Sequence, residues 1–370
     1  MFQFRVTYTL VSSYRISKVG QFHQVDPIWV RSVWDGAVDV VGIAKAGSTT
    51  QCWFIRSAVV EQYAMNLIQP TPEQQVHIRK TFNEDVNTRD RDLEAIKEWL
   101  RKEPHLPDTW DDCRIMTFLR GCNFSLEKTK RKLDMYFTMR AAIPEFFADR
   151  DITRPELQEI LKLMRTVVMP GVTADGKRVT VAGATASDFE TPDIANFMKI
   201  VLMIGDFRLK AEQVGVAGDI YVLDASVALL KHFLKVSPTI VKKFFVCIQE
   251  AYPVKVKEVH VINATPFVDF IIKWVSPFLK EKIRKRIHVH PDLDSLFKVV
   301  PKDMVPEEFG GTAGKVQGYM DMWIQALKDE TAWFKEQESV KADESRRPGK
   351  PTSHEELFGL DGSFKQLTID

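Results

Sequence analysis

From Thr71 onward the hydrophobic positions fall at helical spacing, interrupted at short intervals by proline and glycine. Thr71-Pro72 supplies a cap followed by proline at the first helical position, and Gln74 completes a capping box. After Thr88, Leu93, Ile96, Trp99 and Leu100 recur on one face of RDRDLEAIKEWLRK. DDCRIMTFLRG forms another short helix ended by Gly121, and Ser125 caps SLEKTKRKLDMYFTMRAA, which Pro144 stops. Helices this short are not stable alone. Residues 71–150 therefore read as a small all-helical domain packed on something larger.

Beyond Leu161 the pattern alternates between strands and helices. TVVMPGV and KRVTVAGA flank Asp175-Gly176, a strong hairpin signal. A helix over about 192–210 is entered through Thr191-Pro192. GDIYVLDA and EVHVINA are short apolar runs of the kind found in buried strands, with the helical SPTIVKKFFVCIQEA between them. PFVDFIIKWVSPFLKEKIRKR is expected as one helix bent near Ser276-Pro277, followed by IHVH as a last strand. A final amphipathic helix covers roughly 316–338. The expected fold is α/β over residues 151–338, with a mostly parallel sheet and one antiparallel hairpin. Residues 1–70 are Val-, Ser- and Trp-rich with weak periodicity and are left unassigned, as a disordered extension. The polar tail 339–370 is expected to be disordered.

Composition narrows the function without naming it. The 370 residues are 45% hydrophobic and 27% charged, which is globular composition. A net charge of +1 gives no global bias toward nucleic acid, so any electrostatic function is local. The four cysteines, Cys52, Cys113, Cys122 and Cys247, form no CxxC pair and suit reduced thiols better than a disulfide framework. No apolar run reaches the length of a bilayer span, and the first twenty residues, broken by Arg5 and Arg15, read poorly as a secretory signal.

Catalytic motifs fail one by one. GGTAGK resembles a phosphate loop, but Phe309 stands where a glycine is needed and Val316 where Ser or Thr is needed. GVAG at 215–218 lacks the third glycine of a dinucleotide fingerprint, and no G-x-S-x-G elbow occurs. His260, His288 and His290 lie in expected strands without the converging ligands of a metal site, and read as structural. Neither a catalytic residue nor a metal ligand is assigned. The Asn123 and Asn263 sequons are expected to stay unmodified.

Two adjoining features carry more. Phe267, Phe270, Ile271, Trp274 and Phe278 follow helical spacing and make one face rich in bulky apolar groups. Lys280, Lys282, Arg284, Lys285 and Arg286 follow at once. Core packing and a solvated face would explain each separately. Together they suit a helix that touches an anionic membrane, where aromatics enter the interface and each cation adds about 1 kcal/mol.

FLRGCNFSLEKTKRKLD, GDIYVLDA, QEAYPVKVKEVHVINATP, SPFLKEKIRKRIHVH and VPEEFGG, taken in order, closely resemble the CRAL-TRIO lipid-transfer family, in the branch of alpha-tocopherol transfer protein and cellular retinaldehyde-binding protein. The resemblance covers about residues 72–335. It implies a helical domain on an α/β domain whose sheet floors a closed hydrophobic cavity, gated by a mobile helix at about 266–279. Cavity-lining positions would fall on Met198, Val201, Leu202, Tyr221, Leu223, Phe244, Ile248 and Val256, and phosphoinositide contacts on Lys255, Lys282 and Arg286. A fourth basic position of the family is Cys122 here, and Arg120, retained two residues earlier, is expected as the remaining phosphoinositide contact. A cysteine cannot replace the bidentate pairing of arginine with phosphate. The implied protein is a monomeric, non-enzymatic cytoplasmic carrier without a cofactor, transiently associated with membranes and binding one hydrophobic lipid and no nucleic acid. Its strongest rival is a phosphoinositide-sensing regulatory or scaffold module that moves no cargo.

Overall fold

The computed structural model describes residues 67–185, 193–227 and 235–359, together with the backbone of five strands between residues 14 and 56. The chain divides into two units, Met1–Ala64 and Met65–Asp370. In the first, Ile28–Trp34, Ala37–Ala46 and Thr49–Arg56 form a three-stranded antiparallel sheet, and Tyr14–Ile16 pairs with Phe22–Gln24. These stretches, unassigned above, suit the strand preference of β-branched residues.

The second unit begins before Thr71. Leu67 is buried in its core, and the Ile68 amide donates to the Pro170 carbonyl at 2.9 Å. The helical part comprises α1 (Pro72–Phe82), α2 (Arg89–Lys102), α3 (Asp112–Gly121), α4 (Leu126–Ala142), α5 (Pro144–Phe147) and α6 (Pro155–Leu163). The capping box is present: the Gln74 amide donates to Thr71 Oγ1, and the Thr71 amide to Gln74 Oε1.

The α/β part follows as β1 (Met164–Val172), β2 (Lys177–Ala184), α7 (Ile194–Ala211), β3 (Gly218–Asp224), α8 (Pro238–Val246, extended by one π-helical turn to Ala251) and β4 (Val256–Ile262). Next come α9 (Val268–Val275), α10 (Glu281–Arg284), β5 (Ile287–Val289), α11 (Leu293–Phe297), α12 (Val316–Asp329) and α13 (Thr331–Gln337). The sheet order is β5-β4-β3-β2-β1, parallel except for the β1–β2 hairpin. That hairpin turns at Asp175-Gly176, where Gly176 adopts φ +79°, a conformation that costs glycine nothing. Helix α7 is capped by the Asp193 carboxylate; Thr191 and Pro192 lie outside the described residues.

Two cores meet along α7. One packs behind the sheet, with Val179, Val181, Ile220 and Val222 against Ile200, Met203, Trp323 and Phe334. The other joins the helical part to α7 and α8 through Phe118, Phe137, Phe146, Leu202 and Val241. Between them Asp206 of α7 is buried and fully paired. Arg140 and Arg150 each reach its Oδ2 at 2.6 Å, and the Tyr136 and Tyr252 hydroxyls donate to Oδ1. Burial opposes the charge, and Arg140 with Arg150 overcome it, holding the carboxyl down to about 2.

The tail corrects an expectation. Residues 339–359 are an ordered strap, ending in α14 (His354–Phe358). The Ala342 amide donates to the Phe137 carbonyl, Arg347 forks onto Asp134 at 2.8 and 3.0 Å, and Phe358 is buried in the second core. Sparse anchors inside a polar segment suffice to order it. Residues 360–370 lie outside the described residues.

Candidate functional site

Strand pairing sorts side chains onto the two faces of the sheet, because registered partners point the same way. Thr180, Tyr221, Val259 and Ile287 form one row; Ala182, Leu223 and Val261 form the next row of the same face. The opposite row, Val179, Val181, Ile220 and Val222, is fully packed. On the first face, Tyr221 and Leu223 of the central strand β3 remain half-exposed, while Val222 between them is buried. Burial nevertheless pushes the Tyr221 hydroxyl far above its ordinary range.

Val201 of α7, Phe244 and Ile248 at the end of α8, and Val256 at the register shift opening β4 are also half-exposed, with Phe244 and Ile248 packed against the second core. Met198 and Leu202 differ: both are buried in the second core, among Phe137, Phe146 and Val241. For these two positions ordinary packing is sufficient.

The aromatic segment is not one helix. Pro277 lacks an amide hydrogen, and the chain breaks into α9, a 3-10 turn at Ser276–Phe278 and the single turn α10. The expected aromatic face splits accordingly. Trp274 and Phe278 meet edge to face at 5.9 Å and pack toward the second core, and Ile271 is half-exposed. Phe267 and Phe270 face outward, 38% and 48% exposed. The inward anchors are Val268 and Ile272, which meet Ala225, Val261 and Ile287. Their four-residue spacing was the available signal, overshadowed by the aromatics. Only Val268 of α9 is fully buried, so this helix is lightly held. Its ends are clipped by side-chain amides: Asn263, at φ +50°, reaches Asp224, and Gln249 bonds the Phe278 carbonyl and the Lys280 amide.

The basic residues converge, with corrections. Lys257 and Lys282 act electrostatically on Lys255, while Arg286, Lys177 and Lys282 act on Lys257. Burial first, then these neighbours, pushes the Lys255 ammonium down to about 8. Its Nζ sits 3.9 Å from the Phe82 ring centroid and bonds Asn123 Oδ1. Lys282 and Arg284 are exposed without an ion-pair partner among the described residues, whereas Lys280 pairs with Glu250 and Lys285 with Glu281. Arg286 falls beyond α10, so no helix aligns it with Lys282; its guanidinium is fixed on the Val256 carbonyl. Lys257 was missed, though the spacing Lys-Val-Lys at the head of a strand was legible.

Arg120 stands apart from this cluster's open charges. It is buried, grips Glu84 through two hydrogen bonds, and donates its remaining Nη1 to the Gln213 carbonyl at 3.1 Å. Three of its five N–H donors are thus taken, and the Glu84 carboxylate neutralises the charge a headgroup would need. Cys122 is buried beside Lys255, and burial raises its thiol. Among the described residues no cluster of His, Cys, Asp and Glu is arranged to hold a metal ion, and no helix is long and apolar enough to cross a membrane.

Residues 164–311 match the CRAL/TRIO domain model, and residues 85–157 match the model described as Pinta-like, UBA domain. The chain is 30% identical over 244 residues to alpha-tocopherol transfer protein-like of Mus musculus, an alignment covering 64% of this chain and 69% of that protein. The chain belongs to the CRAL-TRIO family. It is also 24% identical over 261 residues to Clavesin-2 of Homo sapiens, covering 70% of this chain and 79% of the relative. Among solved structures it is similar to Sfh5 at 14% identity and a TM-score of 0.44, over 72% of this chain and 100% of that one. The CRAL-TRIO domain thus spans the whole five-stranded sheet together with α7–α11, and the UBA-like match spans α2–α5. Helix α1, which supplies Phe82 to the basic cluster, lies outside both.

Proposed function

We propose that this protein is a monomeric, non-enzymatic cytoplasmic carrier that holds one hydrophobic lipid against the Tyr221 face of its sheet. It exchanges that lipid at phosphoinositide-containing membranes. The observation that supports the reading is the half-exposed Tyr221 and Leu223 of the central strand, on the sheet face against which α9 packs through Val268 and Ile272. Tocopherol-like and retinoid-like molecules suit such a site, being long, apolar and tipped by one polar group. The name of the mouse relative supports the first.

In this reading α9 is the gate. Phe267 and Phe270 already face outward and enter the membrane interface, while exposed Lys282 and Arg284 meet anionic headgroups. Lys255, Lys282 and Arg286 contact the phosphoinositide, with Lys257 beside them; Arg120 is not among them. Membrane contact favours the open position of a lightly held helix and so shifts its population.

Purified protein examined by native mass spectrometry and lipid extraction tests the carrier directly. One stoichiometric apolar lipid is expected. Protein that is empty yet still binds phosphoinositide vesicles would favour the scaffold module instead.

A further inference from the structure

A chain of side-chain hydrogen bonds follows the free edge of the sheet. Ser295 Oγ donates to the Asp292 carbonyl at 2.7 Å and lies 2.9 Å from His290 Nδ1. His290 Nε2 is 2.9 Å from His260 Nδ1, and His260 Nε2 is 3.2 Å from the Glu258 carboxylate. These four contacts need four protons. The two ends, a carbonyl and an ionised carboxylate, can only accept. With both imidazoles neutral, Ser295, His290 and His260 bring one proton each. One contact therefore lacks a hydrogen until the chain takes up one more proton.

The chain sits where movement matters. Glu258 and His260 belong to β4, His290 directly follows β5, and Asp292 and Ser295 open α11. Strand β5 is three residues long and, among the described residues, pairs with β4 alone. It is fed by Arg286 and the basic turn, and the His290 amide closes its far end on the Val261 carbonyl. Burial resists a proton on His260 and on His290, while Glu258 pulls the first back and Asp292 the second. The other facing groups are His288, stacked on His260 at 5.6 Å between ring centroids, and Lys177, which shares Glu258 at 3.2 Å and pairs with Asp175.

We propose that this chain is a proton-operated latch: one added proton completes all four hydrogen bonds, pins β5 to β4, and so fixes the basic turn Lys282–Arg286 for an anionic membrane. The last clause rests on the membrane reading above; the latch itself does not. An anionic leaflet at about −30 mV lowers the pH at its surface by roughly half a unit, so docking and proton uptake reinforce each other.

The test uses the full chain with ¹⁵N-labelled histidine, titrated from pH 8 to 5 by NMR without membranes. His260 and His290 should change together in one single-proton step. Ser295→Ala keeps the Asp292 cap on the backbone but leaves two contacts, which two neutral imidazoles already satisfy. Its step should move down by about half to one pH unit, whereas His288→Gln should leave the step in place. Independent titration of the two rings, or a Ser295→Ala step at the wild-type position, overturns the latch. A second arm measures binding to vesicles of phosphatidylcholine with a phosphatidylinositol phosphate. Wild-type binding should strengthen from pH 7.5 to 6, and Ser295→Ala should lose most of that gain with unchanged binding at pH 7.5. A gain retained in Ser295→Ala overturns the coupling to the turn. Vesicle binding absent at every pH, beside an intact NMR step, would instead overturn the membrane reading alone.

Discussion

Arg120 and Glu84 are joined by two parallel hydrogen bonds, Nε to Oε2 at 2.9 Å and Nη2 to Oε1 at 3.1 Å, with both side chains buried. The pair ties α3 to the segment that follows α1. Burial works against the Glu84 charge, but Arg120 and Arg89 override it and hold the carboxyl below its ordinary value. Arg120→Gln is expected to cost about 3–5 kcal/mol, the range for removing one partner of a buried pair. Protein that remains folded should bind phosphoinositide vesicles as the wild type does. Because Glu84 is depressed, its contribution is present above the ordinary carboxylate pKa and is lost as pH falls through the lower folded value. The difference between wild type and Arg120→Gln should therefore shrink in acid, below about pH 4.3. Urea unfolding at several pH values measures it.

Val201→Trp places a large ring where a half-exposed side chain of α7 now stands. It should lower lipid occupancy severalfold while costing only about 1–3 kcal/mol from overpacking. Lipid extraction and thermal melting on one preparation check both. Undiminished occupancy in the folded variant would place the ligand elsewhere.

Phe358 is the final anchor of the C-terminal strap, buried against the core that contains Val241 of α8. Phe358→Ala should destabilise the protein by about 3–5 kcal/mol, as read by denaturant unfolding. A value near zero would mean that the strap is held by Arg347 and the backbone alone.

These positions also show which parts of the fold were legible in advance. The hairpin could be read because Asp175-Gly176 encodes its own turn, and the buried strands because their apolar runs are short and sharply bounded. The capping box at Thr71 is likewise local chemistry. What stayed hidden depends on partners distant in sequence. Arg120 looked available because Glu84 lies 36 residues away, and the strap looked disordered because Arg347 and Phe358 meet partners in α4 and α8. The aromatic segment was half legible: Pro277 announced a break, but helical spacing across that break grouped Phe270 with Phe278 on a face that does not exist. The Tyr221 face followed from the family resemblance; strand register places Leu223 on it, and burial on α7 separates half-exposed Val201 from buried Met198 and Leu202.

Lys255 gives the proposed membrane site its own pH signature. Its ammonium is pushed down to about 8, chiefly by burial and then by Lys257. Binding an anionic headgroup favours the charged form, so vesicle association should weaken as pH rises through 8, well below the range of ordinary lysines. Lys255→Arg, which stays charged, should remove that loss between pH 7.5 and 9. Vesicle sedimentation across this range checks it.

The central claim is that membrane contact at the basic turn opens α9 and releases the lipid. The most direct measurement is the rate at which loaded protein delivers its lipid to acceptor vesicles with and without phosphoinositide, for wild type and Lys282→Glu. Phosphoinositide should speed delivery by wild type severalfold. Lys282→Glu should lose most of that acceleration while retaining its lipid and its melting temperature, and rising salt should weaken the wild-type response. Equal acceleration of both proteins, in the folded and loaded state, would contradict the account.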